Sequence, residues 1–110
     1  MIPLNTTLSD SNNNYVYLWL RNDGFPPSPY YVGRGINQRD QQSHRGLGKP
    51  RKRETHRIIR VYENLTFGES CHLEIHLISL YGRIDLGTGL LHNRTDGGEG
   101  NTNVVKKKMD

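Results

Sequence analysis

The hairpin that decides the fold consists of two runs of residues, Tyr15-Val16-Tyr17-Leu18-Trp19-Leu20-Arg21 and Tyr30-Tyr31-Val32-Gly33. The first run alternates aromatic with aliphatic side chains, which is the pattern of a β-strand with two apolar faces. Between the runs, residues 22–29 contain Asn-Asp-Gly and three prolines, which predicts a turn or loop. The two runs together therefore predict an antiparallel β-hairpin.

Side-chain alternation also predicts which residues of the hairpin share a face. Along the first strand, the two tyrosines and the tryptophan fall on one face and the aliphatic residues on the other. On the second strand, Tyr31 and Gly33 point one way, and Tyr30 and Val32 point the other way. Tyr17 and Tyr31 can therefore share a face if the strand register aligns them, although paired tyrosines in a hairpin are ordinarily cross-strand packing.

Three further elements follow along the chain. Residues 36–45 are a candidate for a short polar helix, and residues 46–54 form a basic loop. Residues 57–64 predict a third strand, and Thr66-Phe67-Gly68-Glu69 predicts a capping box that starts a helix ending near Tyr81. This order indicates an α+β fold with a small, partly antiparallel three-stranded sheet flanked by helices.

Length and composition bound the class of protein. With 110 residues, 33% of them hydrophobic, and a net charge of +4, the chain suits one small domain and favours a polyanionic partner. We expect a polar extension over residues 1–14, the domain over 15–100 and a basic, disordered tail over 101–110. The single cysteine, Cys71, excludes a disulfide framework, which favours an intracellular protein. No signal-peptide or membrane-span pattern is found in the sequence, so no membrane partner is expected.

Glu74 has the most informative position in the predicted helix. Helical periodicity places it near the middle of an apolar arc that contains Cys71, Leu73, Ile75, Leu77, Ile78, Leu80 and Tyr81. Placing a carboxylate against the core costs free energy unless something compensates it. A metal ion bound to it, or its use as a buried base, would be a functional explanation. The structural alternative is an ion pair with an arginine such as Arg39 or Arg83.

Two histidines of the same helix offer a second metal hypothesis. His72 and His76 are four residues apart, a spacing that zinc ligands use on helices. They fall on the side opposite Glu74, and the sequence offers no evident third ligand. Solvent-exposed histidines are therefore the better interpretation.

The hairpin and helix motifs, taken in order, resemble those of the GIY-YIG nuclease superfamily. Tyr15-Val16-Tyr17 and Tyr31-Val32-Gly33 resemble the two motifs that give the family its name. Arg39 follows Tyr31 by eight residues, and His44 lies five residues further on. Glu74 stands on the helix where that family carries its metal ligand.

The resemblance extends to the end of the domain and covers about residues 15–100. The later segments look like the C-terminal part of a phage and bacterial subgroup, whose core is similar to that of the eukaryotic LEM-domain nucleases. These segments are Tyr81-Gly82-Arg83, Leu86-Gly87-Thr88-Gly89 and Asn93-Arg94-Thr95-Asp96-Gly97-Gly98-Glu99-Gly100. The chain departs from the family pattern at Tyr15, which stands where the first motif has glycine, and in a hairpin loop lengthened by residues 25–29.

The resemblance implies roles for four residues. Tyr17 would help to deprotonate the attacking water, with Tyr31 hydrogen-bonded nearby or touching the phosphate. Arg39 would stabilise the charge on the phosphate as the bond breaks. Glu74 would bind one Mg²⁺ or Mn²⁺ ion, which keeps several water ligands and touches the scissile phosphate.

The resemblance further implies a metal-dependent endonuclease that hydrolyses DNA through a single active site, in the cytoplasm of a bacterial or phage-infected cell. His44 would assist proton transfer or hold a tyrosine, and Asn93 would support the site through a hydrogen bond. The protein would act as a monomer or as a transient dimer on DNA. RNA stays open as a substrate, and a nucleic-acid-binding module that no longer cuts is the alternative function.

Basic residues near the predicted site are candidates for contacts with the nucleic-acid backbone. Four of them lie in the predicted loop, which also contains glycine and proline residues that disfavour regular structure. An ordinary solvated loop is the alternative interpretation. The candidates are Arg34, Arg45, Lys49, Arg51, Lys52 and Arg53.

Overall fold

The computed structural model describes residues 12–22, 24–42, 47–50 and 52–98. Three strands, β1 (Asn14–Leu20), β2 (Pro29–Gly35) and β3 (Ile58–Leu65), form a sheet in the order β2-β1-β3. Both strand pairs are antiparallel, so the sheet is antiparallel throughout rather than in part. The helix α1 (Phe67–Tyr81) packs on one face of the sheet. The predicted α+β class is confirmed.

The predicted start and end of α1 are both confirmed. The Thr66 hydroxyl accepts a hydrogen bond from the Glu69 amide at 3.1 Å, and the Glu69 carboxylate accepts one from the Thr66 amide at 2.9 Å. This reciprocal pair satisfies two amides that the first helical turn leaves without backbone partners. The helix ends at Gly82, whose φ of 78° favours glycine.

The prediction of a helix over residues 36–45 is wrong for the part that the structure describes. Only a single 3₁₀ turn, Arg39–Gln41, is helical there. Asn37 just before it has a φ of 52°, and its carbonyl oxygen accepts hydrogen bonds from Tyr15 and Arg60. The segment has no apolar face to bury, so it does not pack as a helix. Its contacts with the sheet fix its conformation instead.

Two other 3₁₀ helices lie among the described residues. Lys52–Arg57 leads directly into β3, so residues 52–54 at the end of the predicted basic loop belong to a 3₁₀ helix, with a kink at Glu54. Ile84–Leu86 follows the end of α1.

Each face of β1 belongs to a separate core, as its alternation predicts. The helix face joins the aliphatic residues of the sheet to α1 and to the segment after it: Val16, Leu18, Val32, Leu77, Ile78 and Leu91. The opposite face carries an aromatic cluster of Tyr15, Tyr17, Trp19 and Tyr30, with Tyr31 packed against it. This division places residues of different chemistry on the two sides of one thin sheet.

Two predicted side-chain positions are wrong. Tyr30 was expected to share a face with Val32, but it packs with the aromatic cluster, next to a register shift between Trp19 and Leu20. Such an irregularity redirects side chains from simple alternation. Leu80 was expected in the apolar arc of α1 but is largely exposed, because the sheet covers a narrower stripe of the helix.

Candidate active site

Two glycines of β2 make room for two of the predicted catalytic side chains. A Cβ at Gly33 would lie 2.5 Å from Cζ of Tyr17, and a Cβ at Gly35 would lie 2.6 Å from Cβ of Arg39. Neither distance is possible for a real side chain, so both positions require glycine for this packing. The Tyr17 and Tyr31 rings have centroids 6.1 Å apart on the same face. The structure therefore brings Tyr17, Tyr31 and Arg39 together; the hairpin pattern predicted the pair of tyrosines, whereas Arg39 was expected from the family resemblance.

The Tyr17 phenol stays protonated at neutral pH. Its burial raises its pKa far above the ordinary value, and the nearby Tyr31 and Tyr15 raise it further. The Arg39 guanidinium lowers the pKa of Tyr17, but by less than burial raises it. In this state the phenol can donate a hydrogen bond, and it can act as a base only by passing its own proton to another acceptor.

Glu74 is buried, with 6% of its surface exposed, and its carboxylate has two partners at known distances. Its Oε1 accepts a hydrogen bond from the Gly98 amide at 2.9 Å and lies 3.7 Å from Nε of Arg34. Gly97 packs closely as well, since a Cβ there would lie 3.2 Å from Cγ of Glu74. With φ values of 93° and 78°, the two glycines form a turn that wraps around the carboxylate.

An arginine does lie near Glu74, but neither of the two expected ones. Arg34 occupies that position, and its guanidinium also stacks 4.4 Å from the centroid of the Phe67 ring. Arg83 instead forms ion pairs with Asp85 at 2.6 Å and Asp96 at 2.9 Å. Arg34, predicted only as a nucleic-acid contact, is therefore also part of the environment of Glu74.

The two groups of side chains lie on opposite faces of β2. Tyr31 points to the aromatic face, whereas Val32 and Arg34 point to the face that α1 covers. Tyr17, Arg39 and Glu74 therefore do not share one face of the sheet. Tyr17, Tyr31 and Arg39 approach from one side and Glu74 from the other. β2 is the edge strand of the sheet and lies between the two groups.

Asn93 closes part of that edge. Its side-chain amide donates to the Val32 carbonyl at 2.8 Å, and its carbonyl oxygen accepts from the Val32 amide at 3.0 Å. The adjacent His92 amide donates to the Tyr30 carbonyl at 2.8 Å. Asn93 therefore holds β2 in place between Tyr31 and Gly33, which agrees with the supporting role expected for it.

The described part of the basic loop lies against the aromatic face. The Tyr30 hydroxyl donates to the Gly48 carbonyl at 2.6 Å, and Leu47 packs on the aromatic cluster. Lys49 is half-buried there. His44, Arg45 and Arg51 lie outside the described residues, as do the side chains of Lys52 and Arg53.

An open groove of about 380 Å³ borders this loop at the end of the aromatic face. Its floor includes Tyr30, and its basic residues are Arg21, Arg57 and His92. Backbone carbonyls fix both arginines: Arg21 donates to Pro29 at 2.6 Å, and Arg57 donates to Leu20 at 2.7 Å. Both arginines therefore have fixed positions, and Arg57 is also ion-paired with Glu54 at 2.9 Å.

Among these residues Glu74 is the one that could hold a hard divalent cation, since the Gly98 amide and the Arg34 guanidinium are donors and not metal ligands. Mg²⁺ is commonly held by one or two carboxylates and completes its coordination with water and substrate phosphate, so one glutamate is sufficient. In the described ranges, no group of three His, Cys, Asp or Glu side chains is arranged to hold a metal ion. His72 and His76 are exposed on α1, which agrees with the interpretation as solvent-facing histidines.

Sequence reasoning did not identify Asp40 and Arg60. Asp40 is buried with 3% exposure, directly after Arg39, and its carboxylate accepts a hydrogen bond from Nε of Arg60 at 2.8 Å. The partners are 20 residues apart in the chain. No local pattern connects them, and the only available signal was an acidic residue next to the candidate Arg39.

None of the helices in the described parts of the chain is long and apolar enough to cross a membrane. Comparisons of the chain with protein-family models, with curated proteins and with solved structures found no match.

Proposed function

We propose that the protein is a GIY-YIG-type endonuclease that hydrolyses DNA phosphodiester bonds at the edge strand β2. The observation that carries the proposal is the packing of Tyr17 and Arg39 over Gly33 and Gly35. The Tyr17 ring is fully buried against Gly33, whereas Arg39 is exposed and adds a cationic surface to an otherwise apolar aromatic face. That surface suits a phosphodiester, which needs hydrogen-bond donors and positive charge.

Arg39 supplies the positive charge in this proposal. It is exposed, so its guanidinium can reach a substrate, and its forked N–H donors match phosphate oxygens. Tyr17 is fully buried and neutral, so its phenol oxygen can accept a hydrogen bond from the attacking water only after substrate binding exposes it. As the water loses its proton, a neutral Tyr17 must pass its own proton on, and His44 is the candidate acceptor from the sequence.

Glu74 is the residue that would hold a divalent metal ion. The Gly98 amide fixes one carboxylate oxygen, while the contact with Arg34 at 3.7 Å is too long for a hydrogen bond and is more easily replaced. Bound there, the ion would polarise the phosphate and lower the pKa of a coordinated water. Arg34 would then turn from Glu74 towards the substrate phosphate.

In the proposed complex, the DNA backbone would extend from the site at Arg39 into the groove beside Tyr30. Its arginines lie at the end of the aromatic face, and the basic loop starts next to it. Phosphates on either side of the cut would meet positive charge along this path. A basic path next to the cut site favours DNA over a small phosphate ester as substrate.

The test is incubation of the full chain with supercoiled plasmid, either with Mg²⁺ or with EDTA. We expect conversion to the nicked form with Mg²⁺ and none with EDTA, because one active site cuts one strand at a time. Retarded plasmid that stays supercoiled under both conditions would overturn the proposal and identify a binding module. A single-stranded and a duplex RNA, assayed in parallel, show whether the cut is restricted to DNA.

A matched pair of glutamate variants on α1 identifies the metal ligand. Glu74→Gln keeps an acceptor for the Gly98 amide but removes the charge, and we expect cleavage to fall below detection. Glu69→Gln makes the same change on the exposed side and keeps the capping box, in which glutamine serves equally well. Full activity in Glu74→Gln, with a normal thermal melt, would remove Glu74 from the site.

A further inference from the structure

We propose that Tyr15, Asp40 and Arg60 form a positioning cluster that fixes the Arg39 guanidinium at the substrate. The proposal rests on the proposed function, in which Arg39 contacts the phosphate, and it assigns a role to three residues outside the catalytic set. It also gives a reason for Tyr15, which stands where the family motif has glycine.

Asp40 is the centre of the cluster. Its carboxylate accepts from Arg60 Nε at 2.8 Å and from Arg60 Nη2 at 3.3 Å, which is a two-pronged contact. The carboxylate is buried, with its side chain 5% exposed, and Arg60 is the partly exposed partner. Hydrogen bonding to Asp40 raises the pKa of Arg60, so the guanidinium stays charged. A planar two-pronged pair fixes the orientation of both side chains.

Tyr15 joins the same turn to β1. Its hydroxyl accepts a hydrogen bond from the Asp40 amide at 2.9 Å and donates one to the Asn37 carbonyl at 2.8 Å. The Arg60 guanidinium covers its ring at 3.9 Å from the centroid and also donates to the Asn37 carbonyl at 2.7 Å. A glycine at position 15 would have neither the hydroxyl for the two hydrogen bonds nor the ring that the guanidinium covers. The departure from the family motif therefore supplies contacts that hold the turn.

Trp19 adds one more hydrogen bond to the turn. Its indole Nε1 donates to the Asp40 carbonyl at 2.9 Å, from a fully buried position in the aromatic cluster. Three residues on two strands, Tyr15 and Trp19 on β1 and Arg60 on β3, therefore hold a turn of only three helical residues.

These contacts act on Arg39 because it directly precedes Asp40. The Arg39 side chain starts against Gly35, where there is no space for it to shift towards the strand. A 3₁₀ turn of this length has little stability of its own. Loss of the Asp40 contacts would therefore let the turn move and displace the guanidinium, and a displacement of about 1 Å can cost about 100-fold in rate.

The test is a double-mutant cycle between Asp40→Asn and Arg39→Ala, read as the single-turnover cleavage rate at saturating protein. We expect Asp40→Asn to lower the rate by about 10- to 100-fold in the natural background and by less than about 2-fold when Arg39 is already absent. DNA affinity should change little. An equal loss in both backgrounds would show a general structural effect and overturn the proposal.

A control variant separates positioning from the loss of an ion pair elsewhere in the fold. Asp85→Asn breaks the pair with Arg83, which lies after α1 and away from Arg39, and should leave the cleavage rate unchanged. Should Asp40→Asn fail to fold, Tyr15→Phe removes only the hydroxyl. We expect it to show the same dependence on Arg39 with a smaller loss.

A readout independent of cleavage distinguishes this proposal from the proposed function. The side-chain Nε–H resonance of Arg39, identified by its loss in Arg39→Ala, should be well dispersed in the natural protein and move to the random-coil position in Asp40→Asn. An unchanged resonance would overturn the positioning role. If the protein does not cut DNA but the resonance moves as expected, the cluster positions Arg39 and only the proposed reaction is wrong.

Discussion

The two faces of β2 hold their polar groups by different means. On the aromatic face, Arg39 begins a turn that the Asp40–Arg60 ion pair at 2.8 Å and several hydrogen bonds fix to two strands. On the helix face, Glu74 has an amide at 2.9 Å and an arginine at 3.7 Å. The first arrangement holds its turn rigidly through short hydrogen bonds, whereas the distance between Glu74 and its arginine is longer than a hydrogen bond. In the proposed function the guanidinium needs a fixed orientation, whereas the glutamate has to admit a hydrated metal ion.

The largest expected effect is on the rigid face. Arg39→Ala should lower single-turnover cleavage by about 1,000-fold with little loss of DNA affinity, because the guanidinium acts on charge that develops in the transition state. Arg94→Ala, an exposed arginine after α1, is the control and should stay active. A proportional loss of binding and cleavage in Arg39→Ala would make Arg39 a docking residue instead.

Removal of the Tyr17 hydroxyl should have the next largest effect. Tyr17→Phe keeps the ring that crosses Gly33, so the packing survives while cleavage falls by about 100-fold. Tyr62→Phe makes the same change at an exposed position of β3 and should be neutral. The rates come from single-turnover cleavage of an end-labelled duplex. Equal rates for the two variants would exclude Tyr17 from proton transfer and from contact with the phosphate.

The basic loop should affect affinity rather than rate. Each phosphate contact adds about 0.9 to the slope of log affinity against log salt on duplex DNA. Neutralising Lys49, Arg51, Lys52 and Arg53 in the Glu74→Gln protein should therefore flatten the slope by at most about 3 to 4 units. The measurement is a binding titration from low to moderate salt. Parallel lines would identify an ordinary solvated loop and direct attention to Arg21 and Arg57.

Two glycine substitutions test the packing on which the proposed function rests. Gly33→Ala places a methyl group against the Tyr17 ring and should destabilise the protein by about 1–3 kcal/mol and impair cleavage. Gly68→Ala in α1 has open space around the new Cβ and should be neutral or stabilising by up to about 1 kcal/mol. Denaturant unfolding measures both free energies. A neutral Gly33→Ala would mean that Tyr17 does not lie across that glycine.

The smallest expected effect is on stability at alkaline pH. Burial raises the pKa of Tyr17 in the folded state, so the folded protein favours the protonated phenol. The stabilisation is fully present below the ordinary phenol pKa of about 10 and declines as the pH rises above that value. Denaturant midpoints measured at increasing pH should therefore fall less steeply in Tyr17→Phe. Parallel declines would contradict the buried, protonated state of Tyr17.

Local patterns predicted the fold and about half of the candidate site. Alternation along β1 identified both faces of the sheet, and the capping box placed α1 and so the burial of Glu74. These features depend on residues close together in sequence. Tyr17 and Tyr31 were paired for the same reason, since a hairpin brings neighbouring strands together.

The remaining features depend on distant residues and had no local signal. Arg34 lies near Glu74 because α1 packs against β2. The two residues are 40 positions apart in the sequence. The turn at residues 36–41 follows contacts with Tyr15 and Arg60 rather than its own helical propensity. Tyr30 turned to the aromatic face beside an irregularity in strand pairing, which alternation cannot predict.

The central claim is that both faces of a single β2 serve one active site. Its most direct test is cleavage of one labelled duplex, with Mg²⁺, by an equimolar mixture of Arg39→Ala and Glu74→Gln chains beside the unmodified protein. We expect the unmodified protein to cut and the mixture to stay as inactive as either variant alone, because no chain in the mixture carries both faces intact. Restored cleavage in the mixture would show that the two groups act from different chains and would contradict the account.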